Sequence, residues 1–146
     1  FSAPVVGWSP SLGTRAAAAQ HPGVAVVDSI EAVVEQADIV VLATPLAALG
    51  ATLDIVAAAL TRRPDRPTIT DVGSVKAPIA AHARRVLDDP SIFVPGHPMA
   101  GTEHAGWANA DPDLFVEARW ALVVDEPVDL DQFFQSPAKY PMQPRP

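Results

Sequence analysis

Residues 94–106 read Val94-Pro95-Gly96-His97-Pro98-Met99-Ala100-Gly101-Thr102-Glu103-His104-Ala105-Gly106, with two histidines, a threonine, a glutamate and three glycines in one run. An imidazole titrates near neutral pH, and glycines let backbone amides approach a ligand closely. Acid–base chemistry on a bound small molecule is what these residue types offer. The run has neither helical nor strand periodicity, and it follows the apolar Ile92-Phe93-Val94. It therefore reads as a polar loop held at the end of a strand.

The elements that must hold this loop can be read in chain order. Val5-Val6-Gly7-Trp8 is a short strand closed by Ser9-Pro10-Ser11, and an alanine-rich helix follows over 12–20. A second strand is expected at 24–27. Asp28 with Glu31 matches a capping box for a helix running to about residue 36. Asp38-Ile39-Val40-Val41-Leu42-Ala43 is continuously apolar and β-branched, as in a parallel strand buried on both faces. Thr44-Pro45 ends it, and 46–60 reads as a helix. Thr68-Ile69-Thr70-Asp71-Val72 is the next strand, and Gly73-Ser74-Val75-Lys76 turns into a helix over 77–87. Residues 92–94 form a strand into the polar loop, 107–117 are irregular with room for one helical turn, and 119–124 make a last strand. Strand and helix alternate with short connections, which predicts an α/β domain with a parallel sheet. Ligands bind such sheets at the carboxyl ends of the strands. Ser9-Pro10-Ser11, Thr44-Pro45, Gly73-Ser74 and the His97 loop all fall at such ends.

Composition narrows the function classes. A chain of 146 residues, 49% hydrophobic and 18% charged, is one globular domain's worth of sequence. A net charge of -7 argues against nucleic acid or anionic membrane as partner, so an anionic ligand must be met locally. With no cysteine, thiolate metal sites and disulfides are excluded, and nothing suggests another metal site. No apolar run reaches the roughly 20 residues of a membrane span, so a soluble cytoplasmic protein is expected. Pro137, Pro141, Pro144 and Pro146 crowd the end of the chain, and 134–146 reads as a disordered proline-rich tail.

Taken together, Val5-Val6-Gly7-Trp8, Asp38-Ile39-Val40-Val41-Leu42-Ala43-Thr44-Pro45, Asp71-Val72-Gly73-Ser74-Val75-Lys76 and Gly96-His97-Pro98-Met99-Ala100-Gly101-Thr102-Glu103 resemble the prephenate dehydrogenase family of tyrosine biosynthesis. The resemblance covers roughly residues 4–130. It is carried most specifically by Gly-Ser-Val-Lys together with His-Pro-Met-Ala-Gly-Thr-Glu. It implies a Rossmann-like doubly wound sheet and a hydride transfer from prephenate, or its amino-acid analogue arogenate, to NAD or NADP. It also implies His97 as the catalytic base and Ser74 as the residue orienting the substrate hydroxyl and the cofactor. Gly101, Thr102 and Glu103 would contact substrate, with Glu103 in a polar network closing the site. Thr44 and Pro45 would lie against the cofactor. The turn Trp8-Ser9-Pro10-Ser11 carries no acid for ribose hydroxyls, and Arg15 lies one helical turn on. Ser9, Ser11 and Arg15 thus lean towards NADP, although the neutral turn is compatible with both cofactors.

The same residues have plainer readings. Ser74 sits where an N-cap of the next helix belongs, and Glu103 could be a solvated loop acid. His21, His82 and His104 read as surface residues and Lys76 as a helix-start surface charge. Trp8 and Trp107 read as packing residues, with Trp8 a possible cover for the adenine edge. Relative to the family, residues 1–133 correspond to a partial nucleotide-binding domain without the first strand and its Gly-rich, pyrophosphate-binding turn. That strand would lie between the one ending at Gly7 and the one ending at Ala43, leaving two apolar edges unpaired. The resemblance also leads one to expect that this chain lacks the family's following helical domain, which forms a homodimer and supplies an arginine for the substrate carboxylates. The expectation is a chain with little activity alone. The competing functions are arogenate dehydrogenase, another NADP-dependent dehydrogenase of the hydroxyacid type, and a non-catalytic remnant.

Overall fold

The computed structural model describes residues 4–101 and 106–124. In chain order come β1 (Val5–Gly7), α1 (Leu12–Ala18), β2 (Val24–Val26) and α2 (Ile30–Val34). They are followed by β3 (Ile39–Leu42), α3 (Leu46–Leu60), β4 (Thr68–Asp71), α4 (Ala77–Val86), β5 (Phe93–Pro98) and β6 (Trp120–Leu122). Short 3-10 turns stand at Pro90–Ile92 and Trp107–Asn109. The proline-rich tail expected at 134–146 lies outside the described residues.

The α/β alternation is as expected, and the strands form two groups. β1 pairs with β2 in parallel, and β3, β4 and β5 pair in parallel in that order. Among the described residues β1 and β3 do not pair with each other, so each keeps an unpaired edge. This is the gap anticipated between the strands ending at Gly7 and near Ala43. The sheet is not wholly parallel, because β6 runs antiparallel to β5, matching Gly96 to Leu122, His97 to Ala121 and Pro98 to Trp120. The Met99 N–H to Arg119 carbonyl bond at 2.7 Å continues that pairing. Among the described residues between the two strands the only helical element is the 3-10 turn Trp107–Asn109, and an antiparallel neighbour needs no crossover helix.

The core lies between β3–β4–β5 and the helices α3 and α4. Pro45 sets the start of α3: its φ is -53° and its ψ of 147° is extended, so the helix begins with Leu46. Leu49, Leu53, Val56 and Leu60 recur at helical spacing and are all buried, forming one stripe. They pack with Ile79 and Ala83 of α4 and with Val40, Leu42, Ile69 and Phe93 from the strands. Every residue of β4 is buried, as befits a central strand. β3 departs from the expectation of burial on both faces: Val40 and Leu42 point into the core while Val41 stays 43% exposed. One face of this strand is packed and the other is open.

Two caps differ from expectation. Ser29, not Asp28, caps α2: its backbone is extended and its hydroxyl accepts the Ala32 N–H at 3.1 Å. The position capping α4 is Lys76, with no side-chain cap bond, so Ser74 does not act as the N-cap.

Candidate active site

The pairing register sets the candidate residues level with one another. Leu42, Asp71 and Pro95 lie in one row across β3, β4 and β5. Counting two residues on from each reaches Thr44, Gly73 and His97, with Ser74 next to Gly73. Three neighbouring carboxyl ends thus bring Thr44, Ser74 and His97 to one edge of the sheet, where ligands of such sheets bind.

His97 was expected in a loop, but it belongs to β5, which runs on to Pro98 because β6 supplies partners for Gly96, His97 and Pro98. A strand position holds a side chain more firmly than a loop would. The imidazole is half-buried, and its Nδ1 lies 3.3 Å from the Val72 carbonyl oxygen. A carbonyl can only accept, so Nδ1 carries the proton and donates it. That leaves Nε2 as the ring's basic lone pair, the arrangement a general base needs.

Close approach of β5 to β4 depends on Gly96. A Cβ there would stand 2.9 Å from Thr70 Oγ1 and 3.1 Å from the Asp71 carbonyl oxygen. The Thr70 hydroxyl donates to the Val94 carbonyl at 2.7 Å, fastening the two strands one step earlier. Ser74 is exposed, and among the described residues its hydroxyl makes no hydrogen bond, so it is free to meet a ligand. Thr44 Oγ1 is buried and, among the described residues, has no hydrogen-bond partner. An orphaned hydroxyl at a strand's carboxyl end suits contact with a bound cofactor. Pro45 beside it is exposed. Gly101 is exposed with φ +136° and nothing within 4 Å of a would-be Cβ, open backbone that another chain segment or a ligand can approach. Thr102, Glu103 and His104 lie outside the described residues.

The residues after β1 expected to meet the cofactor are tied into local structure. Ser9 Oγ accepts the Ser11 N–H at 3.2 Å, and Ser11 Oγ caps α1 by accepting the Thr14 N–H at 3.2 Å. Arg15 donates to the Asp28 carbonyl at 3.3 Å and lies 3.9 Å from its carboxylate. The turn itself has no acid, but the fold brings one from the end of β2. Trp8 packs here too, its indole N–H donating to the Asp28 carbonyl at 3.0 Å.

Other readings are corrected by their partners. Lys76 is no surface charge: its ammonium pairs with the fully buried Asp71 carboxylate and donates to the Gly96 carbonyl. His82 is half-buried and bridges helices through Asp54 Oδ1 at 2.7 Å, whereas His21 is exposed, edge-on to Trp107. Asp71 is not among the residues the sequence singles out, and Lys76 reads there as a surface charge rather than a catalytic amine; the fold joins the two beside Ser74 and His97. The available signal was an acid in an otherwise uncharged strand, with a lysine five residues on.

Comparison with known proteins shows the family to which this fold belongs. The family described as prephenate dehydrogenase, nucleotide-binding domain, matches residues 1–135. The chain belongs to this family. It is 38% identical over 116 residues to a cyclohexadienyl dehydrogenase of Zymomonas mobilis, covering 78% of this chain and 35% of that protein. The fold matches Synechocystis arogenate dehydrogenase with a TM-score of 0.75 at 30% identity, covering 89% of this chain and 45% of that one. It also matches prephenate dehydrogenase from Aquifex aeolicus in complex with hydroxyphenyl propionate and NAD+, with a TM-score of 0.74 at 25% identity. That match covers 91% of this chain and 46% of the other. The chain therefore spans less than half the length of these relatives. Its Rossmann-like fold and nicotinamide-dinucleotide dehydrogenase ancestry are those of the family. Among the described residues no helix is long and apolar enough to cross a membrane.

Proposed function

We propose that this chain is the cofactor- and base-bearing part of a prephenate dehydrogenase, which converts prephenate to 4-hydroxyphenylpyruvate and carbon dioxide. The observation that carries the proposal is His97, half-buried on β5, its Nδ1–H engaged by Val72 and its Nε2 left basic, level with Thr44 and beside Ser74. When bound, the nicotinamide ring supplies the acceptor for the hydride leaving the ring carbon that bears the substrate hydroxyl. His97 Nε2 takes the hydroxyl proton as the carbonyl forms. The electrons of the bond to the ring carboxylate then flow into the ring, carbon dioxide departs, and the oxygen recovers a proton as the phenol. Ser74 orients the hydroxyl. Thr44 and Pro45 line the cofactor, and Gly101, Thr102 and Glu103 contact substrate.

NADP is the cofactor favoured by the acid-free turn Trp8-Ser9-Pro10-Ser11 with Arg15 nearby; Asp28, paired with Arg15, is the counterweight that keeps NAD in play. Arogenate is the second substrate to be tried, supported by the similarity to the Synechocystis arogenate dehydrogenase. The reading carries with it a cytoplasmic homodimer completed by a helical domain. It includes neither nucleic-acid nor membrane binding, in line with the net charge of -7.

The test is nicotinamide reduction by the complete natural polypeptide that carries this sequence, with prephenate or arogenate and each cofactor in turn. Turnover of either substrate, with carbon dioxide released in step with cofactor reduced, is the expected result. Cofactor binding without turnover of either would overturn the proposal in favour of the hydroxyacid-type or non-catalytic alternatives.

A further inference from the structure

Lys76 stands where a helix least favours it. The backbone N–H groups at the start of α4 carry partial positive charge, so a cation there is electrostatically unfavourable, and no side-chain cap bond compensates. Its partner is also costly. The Asp71 side chain is 0% exposed and that of Lys76 17%, and a buried ion pair is on average no more stabilising than apolar residues of the same volume. Stability alone is a poor account of this pair.

Its position relative to the site gives a better one. Asp71 Oδ2 accepts both the Lys76 ammonium and the Gly73 N–H, the latter at 3.0 Å. These bonds close residues 71–76 into a stapled turn with Ser74 inside it. The same ammonium donates to the Gly96 carbonyl, one residue before His97. From the other side, the Val72 carbonyl within the turn accepts the His97 Nδ1–H at 3.3 Å. The β4–α4 turn therefore grips β5 at two successive residues, once through the backbone of Gly96 and once through the imidazole of His97.

We propose that Lys76 is a positioning residue: held by Asp71, it locks the turn carrying Ser74 to the strand carrying His97, and so fixes the separation and ring orientation of the two. This rests on the reading of His97 as the proton acceptor. Lys76 need not touch the reacting atoms. It acts through the Gly96 carbonyl and the shape of the turn, where a misplacement of about 1 Å in a reacting group can lower a rate about a hundredfold.

The test compares Lys76→Met, Asp71→Asn and the double variant in the complete natural polypeptide. Lys76→Met keeps the apolar stem but leaves the Asp71 carboxylate buried and unpaired, so it is expected to lower both Tm and kcat. The double variant contains no unpaired buried ion and is expected to recover most of the lost Tm. Its kcat should stay down by about a hundredfold, with KM for the cofactor changed about threefold or less, the pattern of a group needed in the transition state and not for binding. Recovery of kcat along with Tm would overturn the proposal and leave the pair a structural device. So would a Lys76→Met enzyme with the parent's kcat. A readout independent of turnover is the nitrogen NMR signature of His97 in histidine-labelled protein. The parent should show the Nδ1–H form, and the double variant a mixture of tautomers or a mobile ring. If the parent turns over neither substrate, the functional reading fails, while an unchanged His97 signature in the double variant is what would sink the positioning role.

Discussion

The two halves of this molecule are written in the same alternating pattern yet are built to different standards. In the half formed by β3, β4, β5, α3 and α4, the central strand is buried throughout and a continuous helix stripe closes over it. In the half formed by β1, β2, α1 and α2, each helix buries a single residue, Ala18 in one and Val34 in the other. Val5 of β1 is 44% exposed. Alternation specifies strand and helix, whereas burial depends on whether each element has neighbours on both sides. The difference also divides the chemistry. His97 and Ser74 stand on the well-packed half, while Ser9, Ser11 and Arg15, assigned to the cofactor's ribose side, stand on the lightly packed one.

The largest contrast should be in activity. His97→Asn in the complete polypeptide removes the basic nitrogen and is expected to lower kcat by about 10²–10⁴-fold, the usual worth of a positioned general base. Arg15→Ala, on the other half, should leave kcat with NAD nearly unchanged and raise KM for NADP by about two- to fivefold, the worth of one surface charge contact of up to about 1 kcal/mol. Steady-state kinetics with both cofactors separates the two. A His97→Asn enzyme with parental kcat would remove the histidine from the mechanism.

Stability should divide along the same line. Leu53 is 0% exposed in the α3 stripe, and Leu53→Ala is expected to cost about 2–5 kcal/mol through lost burial and the cavity left behind. Val5→Ala on the exposed edge strand should cost about 0.5 kcal/mol or less. Equal losses in urea melts would mean that β1 is as firmly held as the core.

A subtler comparison uses glycines in the two halves. Gly96→Ala would push a methyl group to 2.9 Å from Thr70 Oγ1 and 3.1 Å from the Asp71 carbonyl. Because the backbone oxygen cannot swing aside, an expected cost of about 1–3 kcal/mol accompanies displacement of β5. A Cβ at Gly7 meets nothing within 4 Å, so Gly7→Ala should be neutral or stabilising by about 0.4–1 kcal/mol. Thermal melts of the pair decide the matter, and a neutral Gly96→Ala would show that β5 has slack.

How far the sequence led depended on whether the deciding partner was local. α3 was legible to the residue, because Thr44-Pro45 stops the strand and an apolar stripe begins at once. The polar strand ends were legible as well, since polar residues after an apolar run need no distant information. The end of β5 was not: Gly96-His97-Pro98 lacks alternation, and only pairing with β6, more than twenty residues later, makes it a strand. The choice between Asp28 and Ser29 as cap rested on backbone angles, for both residue types cap well. Lys76 looked like a surface charge because its partners are a buried carboxylate and the carbonyl of a strand two elements further on. Thr102 and Glu103 are assigned through the family motif alone and lie outside the described residues.

The smallest effect lies at the seam between the halves. Arg63 donates to the carbonyls of Val34 and Ala37 at the end of α2, reaching across from the turn after α3. The exposed Asp65 carboxylate pairs with the same guanidinium. The hydrogen bond from Arg63 is the main cause holding Asp65 below the usual carboxylate range. A carboxyl group whose pKa is depressed on folding adds stability that is present above its unfolded pKa and is lost as pH falls through the folded one. Asp65→Asn should therefore be slightly less stable than the parent at neutral pH, and the gap should close once acid has protonated Asp65. The pair is solvent-exposed, so salt should shrink the gap too. Urea midpoints of parent and variant, taken from neutral pH down through the carboxylate range at low and high salt, provide the check. Curves that converge in acid would place Asp65 at the seam as the group that orients Arg63. A constant offset at every pH would mean that Arg63 holds α2 without its help.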